Sequence, residues 1–456
     1  VTPLHACSVA EGMATMGKNI KSTFVSMGDV LKPVPGVVYA DKEMTKKGIA
    51  AEYYTNAELE GKPFQSFITD KVGIDDNRFG AHNDMTNVST RHTFYYKPEK
   101  NESYHFSVCT NDGYRCYLND KLVMSDRWHK SSTQEGYMLL EMKAGQVYKF
   151  ELQHQNLGGS IYADMSFESI VVTDIPNAEA LKAADCVVVC LGHDSVTEKE
   201  NSDRTFDLPY GQVDYLRSVL KYNKNVVVVL NGGGGIEMAS WLPEVKAVLM
   251  AWYPGQQGGT AISEIITGKI SPSGKLPISI EKKLEDNPTA GNYYENVDRI
   301  RSAKNNPYSR VEYREGIFMG YRGYEKNNVE PLFPFGYGLS YTSFEYSDIS
   351  VEGAGKEFTV TFKVKNTGKV AGAEVAQVYV TDDQCSVVRP VKELKGFEKV
   401  FLQPGEEKTL SLHLDQEAFR YYDSYKHDFV VEPGTFTVSV GASSADIRLR
   451  ASLNVE

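Results

Sequence analysis

Long apolar runs, clustered positive charge and paired cysteines are all missing from this 456-residue sequence. The longest apolar runs, at 186–191 and 226–230, are far shorter than the roughly 20 residues that a membrane-spanning helix needs. The formal net charge is −11, and no group of Lys and Arg is long enough to follow a phosphate backbone. The composition therefore argues against nucleic acid and membrane as partners and favours a neutral or small polar ligand.

Metal and cofactor motifs are missing as well. The six cysteines include no C-x-x-C pair and no His partner at zinc spacing, and the pair Cys109 and Cys116 is expected to stay unbonded in strands. The adjacent acidic residues Asp75 and Asp76 alone do not predict a calcium-binding site, because calcium needs about six to eight oxygen ligands. The four glycines at 232–235 lack both the G-x-G-x-x-G spacing and the P-loop Lys-Ser/Thr, so we predict no nucleotide cofactor and no metal.

What the sequence does contain begins with a β-rich region from about residue 50 to residue 170. Short runs rich in Tyr, Phe and Val alternate with Gly, Asn and Asp, which is the pattern of strands joined by turns. The predicted strands lie at 93–96, 104–109, 115–118 and 147–152, with predicted turns at 111–113 and 144–145. This region is predicted to be an all-β unit.

The next region, to about residue 280, alternates short apolar runs with amphipathic segments. Such alternation is typical of a parallel sheet covered by helices on both faces. Strands are predicted at 186–190, 226–230 and 247–252, and helices at 213–220 and 259–267.

The last part of the chain combines an irregular segment with a second β-rich region. Residues 283–345 show no sustained period and are rich in Tyr, Gly and Pro, which indicates an ordered wrapping segment. From residue 346 onward apolar and polar residues alternate, with Phe358, Val360 and Phe362 on one face, so a β-sandwich is predicted there.

Several sequence blocks resemble the glycoside hydrolase family 3 β-glucosidases, and they occur in the order of that family. LG at 191–192, EKENSDR at 198–204 and LP at 208–209, followed by Gln212, resemble the acid/base loop of the family. The later blocks resemble the end of its α/β sandwich domain, its wrapping segment and its fibronectin type III-like domain; they are WYPGQQGG at 252–259, SPSGKLP at 271–277, YREG at 313–316, PFGYGLSY at 334–341 and RPVKELKGF at 389–397.

The β-rich region resembles the protective-antigen domain that interrupts the sandwich domain of some of these enzymes, through NDGYR at 111–115 and LNDKLV at 118–123. The resemblance implies a multidomain α/β plus all-β protein. An α/β/α sandwich would be interrupted by a β-sandwich or barrel insertion and followed by an immunoglobulin-like, fibronectin type III-like β-sandwich. The implied domains are an α/β sandwich domain at 1–45 and 171–282, the insertion at 46–170, the wrapping segment at 283–345 and the fibronectin type III-like domain at 346–456.

Two features of the family are not matched. Nothing in the sequence resembles its (β/α)8 barrel, nor the Ser-Asp-Trp type segment that carries its nucleophilic aspartate. The first residues, Val1-Thr2-Pro3, resemble neither an initiator methionine nor a signal sequence. We therefore expect the chain to be part of a longer polypeptide or to work with a companion chain, either of which would supply the barrel.

Glu200 is the candidate acid/base residue that the resemblance implies. A retaining glycosidase needs a nucleophilic carboxylate and a second carboxyl group that protonates the leaving oxygen, roughly 5–5.5 Å apart. Glu200 follows the predicted strand at 186–190, and ligands of open α/β sheets bind beyond the carboxyl ends of strands. Glu198 is the rival, because Asn201 stands where many relatives have Gly and leaves the alignment open by a residue or two. By composition alone, such an acidic loop is typical of a solvated surface.

Three other loop positions carry hypotheses. Asp203 and Arg204 are expected to form an ion pair that shapes the loop. His193 could donate a hydrogen bond to a sugar hydroxyl, although a lone loop histidine is more often structural.

Trp128, next to His129 near a predicted turn, is a further candidate for substrate binding. It could border the aglycone side of the pocket, as loops of this domain do in similar enzymes. Packing in the core is the alternative role for Trp128.

The resemblance as a whole implies a retaining β-glycosidase of the β-glucosidase type, acting on β-glucosides or short β-gluco-oligosaccharides, with this chain supplying the acid/base side. Its partners would be the β-linked substrate and the barrel, and homo-oligomerisation is left open. Two alternatives stay open: a non-catalytic carbohydrate-binding or adhesion fragment, and a subunit completed by another chain. The acidic loop favours the enzyme, since a binding module has no need of it.

We predict that this chain by itself does not hydrolyse an aryl β-glucoside, because one member of a carboxylate pair cannot form the glycosyl-enzyme intermediate. The measurement is release of the phenol from the aryl glucoside by the purified chain. Turnover that Glu200→Gln abolishes would show that the nucleophile lies within these 456 residues.

Overall fold

The structure, a computed structural model, describes residues 6–17, 19–24, 31–34, 36–73, 86–158, 163–170, 178–194, 197–198, 200, 204–209, 211–293 and 313–456. The chain divides into two compact units. The first unit comprises Val25–Asn231 and Glu244–Leu249, and the second comprises Val1–Phe24, Gly232–Pro243 and Met250–Glu456. The predicted class, an α/β part combined with β-rich parts, is confirmed.

The described helices are short. They are α1 (Val9–Ala14), α2 (Ala178–Ala183), α3 (Gln212–Leu220), α4 (Gly258–Ile266), α5 (Ala290–Tyr293), α6 (Tyr321–Asn327) and α7 (Gln416–Phe419). The two longest, α3 and α4, are the two that the apolar spacing predicts, and each lies within one residue of its predicted bounds. Helices of this length are not stable by themselves, so packing must hold them in place.

The β-rich part of the first unit is an eight-stranded antiparallel sheet in the order β1-β8-β5-β7-β4-β2-β3, with β6 paired to β5. Its strands are β1 (Leu31–Pro33), β2 (Ile49–Tyr54), β3 (Gln65–Thr69), β4 (Val88–Tyr96), β5 (Glu102–Leu118), β6 (Lys121–Met142), β7 (Tyr148–Asn156) and β8 (Ala163–Ile170).

Aromatic side chains form the core of this sheet. Phe94 and Phe150 stack with their ring centroids 4.8 Å apart, and Phe106 and Phe167 pack on Phe150 at 5.4 and 5.0 Å. Such pairs contribute roughly 0.5–1.5 kcal/mol each beyond the burial of their area. The core therefore rests on the Tyr- and Phe-rich alternation that identified these strands in the sequence.

The structure differs from the prediction at 111–113, where a turn was expected. These residues lie inside β5, which continues to Leu118 because β6 pairs with it along its whole length. The pairing shifts register on both sides of Asp112, as in a bulge. The buried Asp112 carboxylate accepts a hydrogen bond from the backbone N–H of Leu157 at 2.8 Å, so the polar residues stabilise a bulge instead of a reversal.

The ends of the β-rich part lie side by side. Leu31 is opposite Ile170, and Pro33 is opposite Glu168. The strand β1 is thus part of this sheet, although the predicted insertion begins at residue 46. If the chain were cut before Leu31 and after Ile170, the two cut ends would lie on neighbouring strands.

The α/β part of the first unit is built on a three-stranded sheet with β10 in the centre. The strands β9 (Val187–Gly192), β10 (Val226–Asn231) and β11 (Ala247–Met250) lie where the apolar runs predict strands. β9 and β10 are parallel, from Val187 opposite Val226 to Gly192 opposite Asn231. β10 is apolar throughout its buried positions, as expected for the central strand of a covered parallel sheet.

The second unit contains a β-sandwich. One sheet has the order β12-β13-β16, the other has the order β15-β14-β19-β20, and β17 and β18 form a separate hairpin. The strands are β12 (Phe344–Ala354), β13 (Glu357–Asn366), β14 (Gly372–Asp382), β15 (Glu393–Leu402), β16 (Glu407–Leu414), β17 (Tyr421–Asp423), β18 (Asp428–Val430), β19 (Gly434–Gly441) and β20 (Ile447–Val455). The alternating residues Phe358, Val360 and Phe362 are buried together in its core, as predicted.

A buried polar network holds the preceding segment against this sandwich. Lys275 Nζ lies 3.0 Å from Glu374 Oε1, and the hydroxyl of Tyr346 donates to the same oxygen at 3.0 Å. Gln377 donates from Nε2 to the carbonyl oxygen of Gly336 at 3.0 Å. A Cβ at Gly336 would lie 2.1 Å from Gln377 Oε1, which explains glycine at the third position of PFGYGLSY. Residues 294–312 of the predicted wrapping segment lie outside the described part of the chain.

Also in the second unit, α1 crosses α4 through two glycines. A Cβ at Gly12 would lie 2.3 Å from the carbonyl oxygen of Gly259, and a Cβ at Gly259 would lie 2.0 Å from that of Ser8. Ser8 also caps α1 through a capping box with Glu11. The crossing is fixed by Ser263, whose hydroxyl donates to the carbonyl oxygen of Val9, 254 residues earlier, at 3.3 Å.

Two buried histidines, His92 and His154, lie within the eight-stranded sheet of the first unit. Both are fully buried. Burial lowers the pKa of His92 to about 4, with the backbone carbonyl of Gly73 partly opposing it. Burial, and then the neighbouring His92, lower the pKa of His154 to about 3. Both rings are therefore neutral in the folded sheet at neutral pH.

We predict that acid weakens this sheet below pH 6.5. Each histidine binds a proton more readily when unfolded, where its pKa is about 6.5, so stability is complete above that pH and falls on acidification towards the folded pKa. At pH 5 the loss is on the order of 2 kcal/mol per histidine. Hydrogen exchange of the β4 and β7 amides at pH 7 and pH 5, corrected for intrinsic rates, measures it.

Replacing His154 by Leu should remove about half of this pH dependence, whereas His413→Leu, at an exposed position, should leave it intact. An opening free energy for β4 and β7 that is the same at both pH values would contradict the role given to the buried pair.

The paired ends of the sheet also predict how the insertion can be removed. Deletion of 31–170 should leave a soluble remainder, because its cut ends come from adjacent strands and no strand of the sheet is left without a partner. The protein that lacks 46–170 should be less soluble, since β1 would remain without its partner strand β8. Soluble yield and circular dichroism of both deletions, each with several linkers, are the measurements, and a soluble 46–170 deletion beside an insoluble 31–170 deletion would contradict the pairing argument.

Candidate active site

The candidate loop begins at Gly192, where the backbone takes a conformation that only glycine accommodates. Its φ is +149°, and a Cβ there would lie 2.0 Å from the carbonyl oxygen of Asn231. The parallel pairing nevertheless continues through this point, because His193 donates its backbone N–H to Asn231 at 3.0 Å. The loop therefore leaves the carboxyl end of β9 in a fixed direction.

Gln212, the first residue of α3, closes the loop from its other end. Its Oε1 accepts the backbone N–H of Gly192 at 2.8 Å, and its Nε2 donates to the carbonyl oxygen of Gly192 at 2.8 Å. One side chain thus satisfies both backbone groups of Gly192 and joins the two ends of the loop 193–211. The resemblance includes Gln212, but nothing in the sequence pattern predicts this role.

A tight turn follows His193. The Asp194 carboxylate accepts the backbone N–H of Thr197 at 2.9 Å, and the Thr197 hydroxyl accepts the backbone N–H of Asp194 at 3.0 Å. Glu198 then donates its backbone N–H to the Asp194 carbonyl oxygen at 2.9 Å. These reciprocal bonds resemble those of a helix cap, and the pattern Asp-x-x-Thr is the sequence signal that could have revealed the turn.

His193 is buried inside this turn. Its Nδ1 lies 3.3 Å from the Thr197 hydroxyl, and its Nε2 is buried without a hydrogen-bond partner among the residues that the structure describes. Burial lowers the pKa of His193, the positive charge of Arg204 lowers it further, and Glu198 and Asp194 oppose both. A neutral ring in this position supports the turn; its predicted contact with a sugar hydroxyl stays a prediction.

Glu198 pairs with Arg204 across the loop. Arg204 Nε lies 3.2 Å from Glu198 Oε1, and the two side chains are only 17 % and 20 % exposed. Arg204 also donates from one terminal nitrogen to the Thr205 carbonyl oxygen at 3.0 Å. Asp203, the expected partner of Arg204, lies outside the described residues.

Glu200 is exposed at a turn two residues beyond Glu198. The structure thus brings Glu198, Arg204 and His193 into one group, while Glu200 is exposed.

Trp128 belongs to a different group of residues, on the eight-stranded sheet. The guanidinium of Arg115 lies 4.0 Å from the centroid of its indole ring, and its Nε1 donates to Glu58 Oε2 at 3.2 Å. The ring is partly exposed and packs under Arg115, so the alternative of core packing does not describe it. The side chain of His129 lies outside the described residues.

Sites for metals, cofactors and membranes can be examined in the same described residues. No group of three His, Cys, Asp or Glu side chains there is arranged to hold a metal ion, Asp75 and Asp76 lying outside this part. The described helices include none that is long and apolar enough to cross a membrane. Cys7, Cys116, Cys186, Cys190 and Cys385 form no disulfide in this part of the chain.

The glycine run at 232–235 has no helix after it. An irregular segment follows and leads to a single 3₁₀ turn at Leu242–Glu244. Among the described residues, no α-helix N-terminus therefore follows this glycine run directly.

Comparison with known families matches three domain models to the chain. They are the glycosyl hydrolase family 3 C-terminal domain at residues 171–341, the PA14 domain at 45–169 and a fibronectin type III-like domain at 374–444.

Curated relatives of this chain include several β-glucosidases. A thermostable β-glucosidase B of Acetivibrio thermocellus is 46% identical over 285 residues, which cover 61% of this chain and 36% of that protein. A β-glucosidase of Kluyveromyces marxianus is 34% identical over 465 residues, which cover 94% of this chain and 52% of that protein. The chain thus spans between about a third and a half of the length of these relatives.

Solved structures show the same likeness. The β-glucosidase of Kluyveromyces marxianus in complex with glucose matches with a TM-score of 0.63 and 32% identity, covering 100% of this chain and 56% of that one. A β-glucosidase of Streptomyces venezuelae in complex with D-glucose matches with a TM-score of 0.68 and 25% identity, covering 100% of this chain and 53% of that one. The chain therefore carries the C-terminal domain of glycosyl hydrolase family 3, together with a PA14 domain and a fibronectin type III-like domain.

Proposed function

We propose that the complete protein is a retaining β-glucosidase and that this chain contributes its acid/base carboxyl group, Glu200. The observation that carries the proposal is the anchored acidic loop, in which an arginine neutralises one glutamate and the other is exposed. The β-glucosidases among the relatives, two of them solved with glucose bound, support the substrate class.

The ion pair distinguishes the two glutamates. A general acid must carry a proton in the Michaelis complex, and a guanidinium 3.2 Å away favours the ionised carboxylate instead. Glu198 is therefore suited to shape the loop. Glu200 has no such cation in the described part of the loop, so no ion pair there opposes the acid role.

The reaction assigns two roles to Glu200. As the nucleophile of the barrel attacks the anomeric carbon, Glu200 gives its proton to the glycosidic oxygen and the C–O bond breaks. Glu200, now ionised, then takes a proton from water, whose oxygen attacks the anomeric carbon and releases the enzyme carboxylate. The barrel, in the same polypeptide or in a companion chain, would supply the nucleophile.

The loop anchors serve this chemistry by limiting movement. Gln212 and Gly192 fix both ends of the loop, and Asp194 and Thr197 fix its first turn. A misplacement of about 1 Å in a catalytic group can cost about 10²-fold in rate, so preorganisation of the loop contributes directly to turnover.

In the complete enzyme, we expect Glu200→Ala to slow hydrolysis roughly 10²- to 10⁴-fold for substrates with poor leaving groups. An activated aryl glucoside should still glycosylate the enzyme and then stall after a burst, because deglycosylation needs the base. Azide should restore its turnover, since azide attacks without a base. The measurements are burst kinetics, leaving-group dependence and the yield of glucosyl azide.

Glu198→Ala, two residues away, and Glu179→Ala, on the exposed face of α2, are the matched controls. Loss of the Arg204 partner should lower activity without azide rescue, and Glu179→Ala should behave as the wild type. Azide rescue of Glu198→Ala with normal kinetics of Glu200→Ala would transfer the role to Glu198. If azide rescues neither variant, the acid/base residue lies elsewhere and the loop only forms a wall of the pocket.

A further inference from the structure

A hollow of about 480 Å³ opens in the second unit, beside the hairpin of β17 and β18. Its volume is typical of small-molecule sites, roughly 300–1,000 Å³. Residues 387–395 supply much of the remaining lining, and none of the lining residues belongs to the acid/base loop. The proposed glucosidase reaction therefore gives this hollow no role.

The charged side chains that line the hollow cancel one another once their charged partners are included. Arg389 lies 2.9 Å from Asp382 and also acts on the carboxylate of Glu432. Within the described residues, each cation of this group has a carboxylate beside it. The cations are Arg322, Arg389, Lys395, Arg420 and Lys426, and the carboxylates are Glu393, Asp382, Glu432, Glu417 and Asp423. The hollow thus offers no net charge to a ligand.

Glu393 lies at the centre of these polar groups. Its carboxylate is 3.2 Å from Arg322 and 3.5 Å from both Arg389 and Lys395. A separation of 3.5 Å exceeds the usual hydrogen-bond range of about 2.7–3.2 Å, so these pairs leave room for a further partner. A hydroxyl can donate to the carboxylate and accept from the Lys395 ammonium at the same time. Such a group would bridge the pair without adding charge.

Aromatic rings form the hairpin side of the hollow and are open to solvent. Tyr422 and Phe429 meet edge to face at 5.3 Å, and about half of each side chain is exposed. The guanidinium of Arg420 lies 4.1 Å from the centroid of the Phe429 ring. Tyr425, at the tip of the hairpin, is 96 % exposed. Exposed apolar groups that are rimmed by polar residues mark binding surfaces.

The combination of paired charges and exposed rings selects one kind of ligand. An apolar molecule would take water away from the ion pairs of Glu393 without replacing its hydrogen bonds, which costs free energy. An ion would disturb the balance of charge, and a small polar molecule would leave the rings bare. A neutral sugar carries hydroxyls for the ion pairs and a C–H face for the rings.

We propose that the hollow is a second carbohydrate site, which binds a neutral sugar in its pyranose form. Hydroxyls of the sugar would bridge Glu393 and Lys395, while the C–H face of its ring would rest against Tyr422 and Tyr425. The site goes beyond the proposed glucosidase activity and does not depend on it.

Ligand-observed NMR titration of the full chain with methyl β-D-glucopyranoside tests this site. Sorbitol has the hydroxyls without the ring, and cyclohexanol has a ring without the set of hydroxyls. We expect the glucoside to bind at least tenfold more tightly than either one. Its affinity should stay the same at low and high salt, because no net charge is involved in the contact.

Variants of the lining separate this site from others. Lys395→Met should weaken glucoside binding roughly tenfold by removing a charge-assisted hydrogen bond. Tyr425→Ala, at an exposed position that the fold does not need, should weaken it severalfold. Lys399→Met and Phe397→Ala, exposed on the same strand β15 as Lys395 and outside the lining, should bind as the wild type does.

Five results would overturn the proposal. Cyclohexanol binding as tightly as the glucoside would leave a plain apolar pocket, and sorbitol binding as tightly would leave a site for any polyol. A steep fall of affinity with salt would indicate an ionic contact. Loss of binding in Glu200→Gln, with Lys395→Met unaffected, would move the ligand to the acid/base loop. Absence of saturable binding to the wild-type chain would show that the hollow is not a site.

Discussion

The two hydrogen bonds between the Gln212 side chain and the backbone of Gly192 are the constraint on which the candidate site depends. They tie the end of β9 to the start of α3, so the loop between them has a fixed span. Because β9 is in turn paired with the buried strand β10, the geometry of the loop derives from the most apolar part of the chain. The polar residues of the candidate site are thus positioned by an apolar strand that contributes no candidate site residue.

The sequence predicted the elements whose pattern is repetitive and local. The apolar runs of β9 and β10, the helices α3 and α4 and the alternating residues of β13 were all visible, because burial imposes a period of two or of about 3.6 residues. The Asn-Asp-Gly sequence at 111–113 predicts a turn, whereas the structure has a bulge at Asp112, because this sequence suits both conformations and only the partner strand decides between them. The predicted domain bounds stay predictions, with β1 as the strand that the sequence pattern did not reveal.

The candidate site shows a similar division. The family resemblance pointed to the loop and to its two glutamates, but not to their difference. Glu198 and Glu200 have the same side chain two positions apart, and only the three-dimensional position of Arg204 separates them. Likewise, the burial of His193 depends on the turn made by Asp194 and Thr197. Hydrogen bonds form this turn, and they leave no repeating pattern in the sequence from which it could be predicted.

The crossing of α1 and α4 has a consequence for the order of events during synthesis. Val9 of α1 contacts Ser263 of α4, which lies 254 residues later in the chain. Ribosomes add about 5–20 residues per second, so α1 is synthesised roughly 13 to 50 s before its partner helix. A six-residue helix cannot persist alone for that time. The Gly12 surface that later packs on α4, the capping box and the Cys7 thiol therefore stay accessible to chaperones and oxidants until Ser263 has been synthesised. The eight-stranded sheet, whose strands lie between the two helices in the sequence, folds during this time. Docking of α1 is thus among the last steps of assembly.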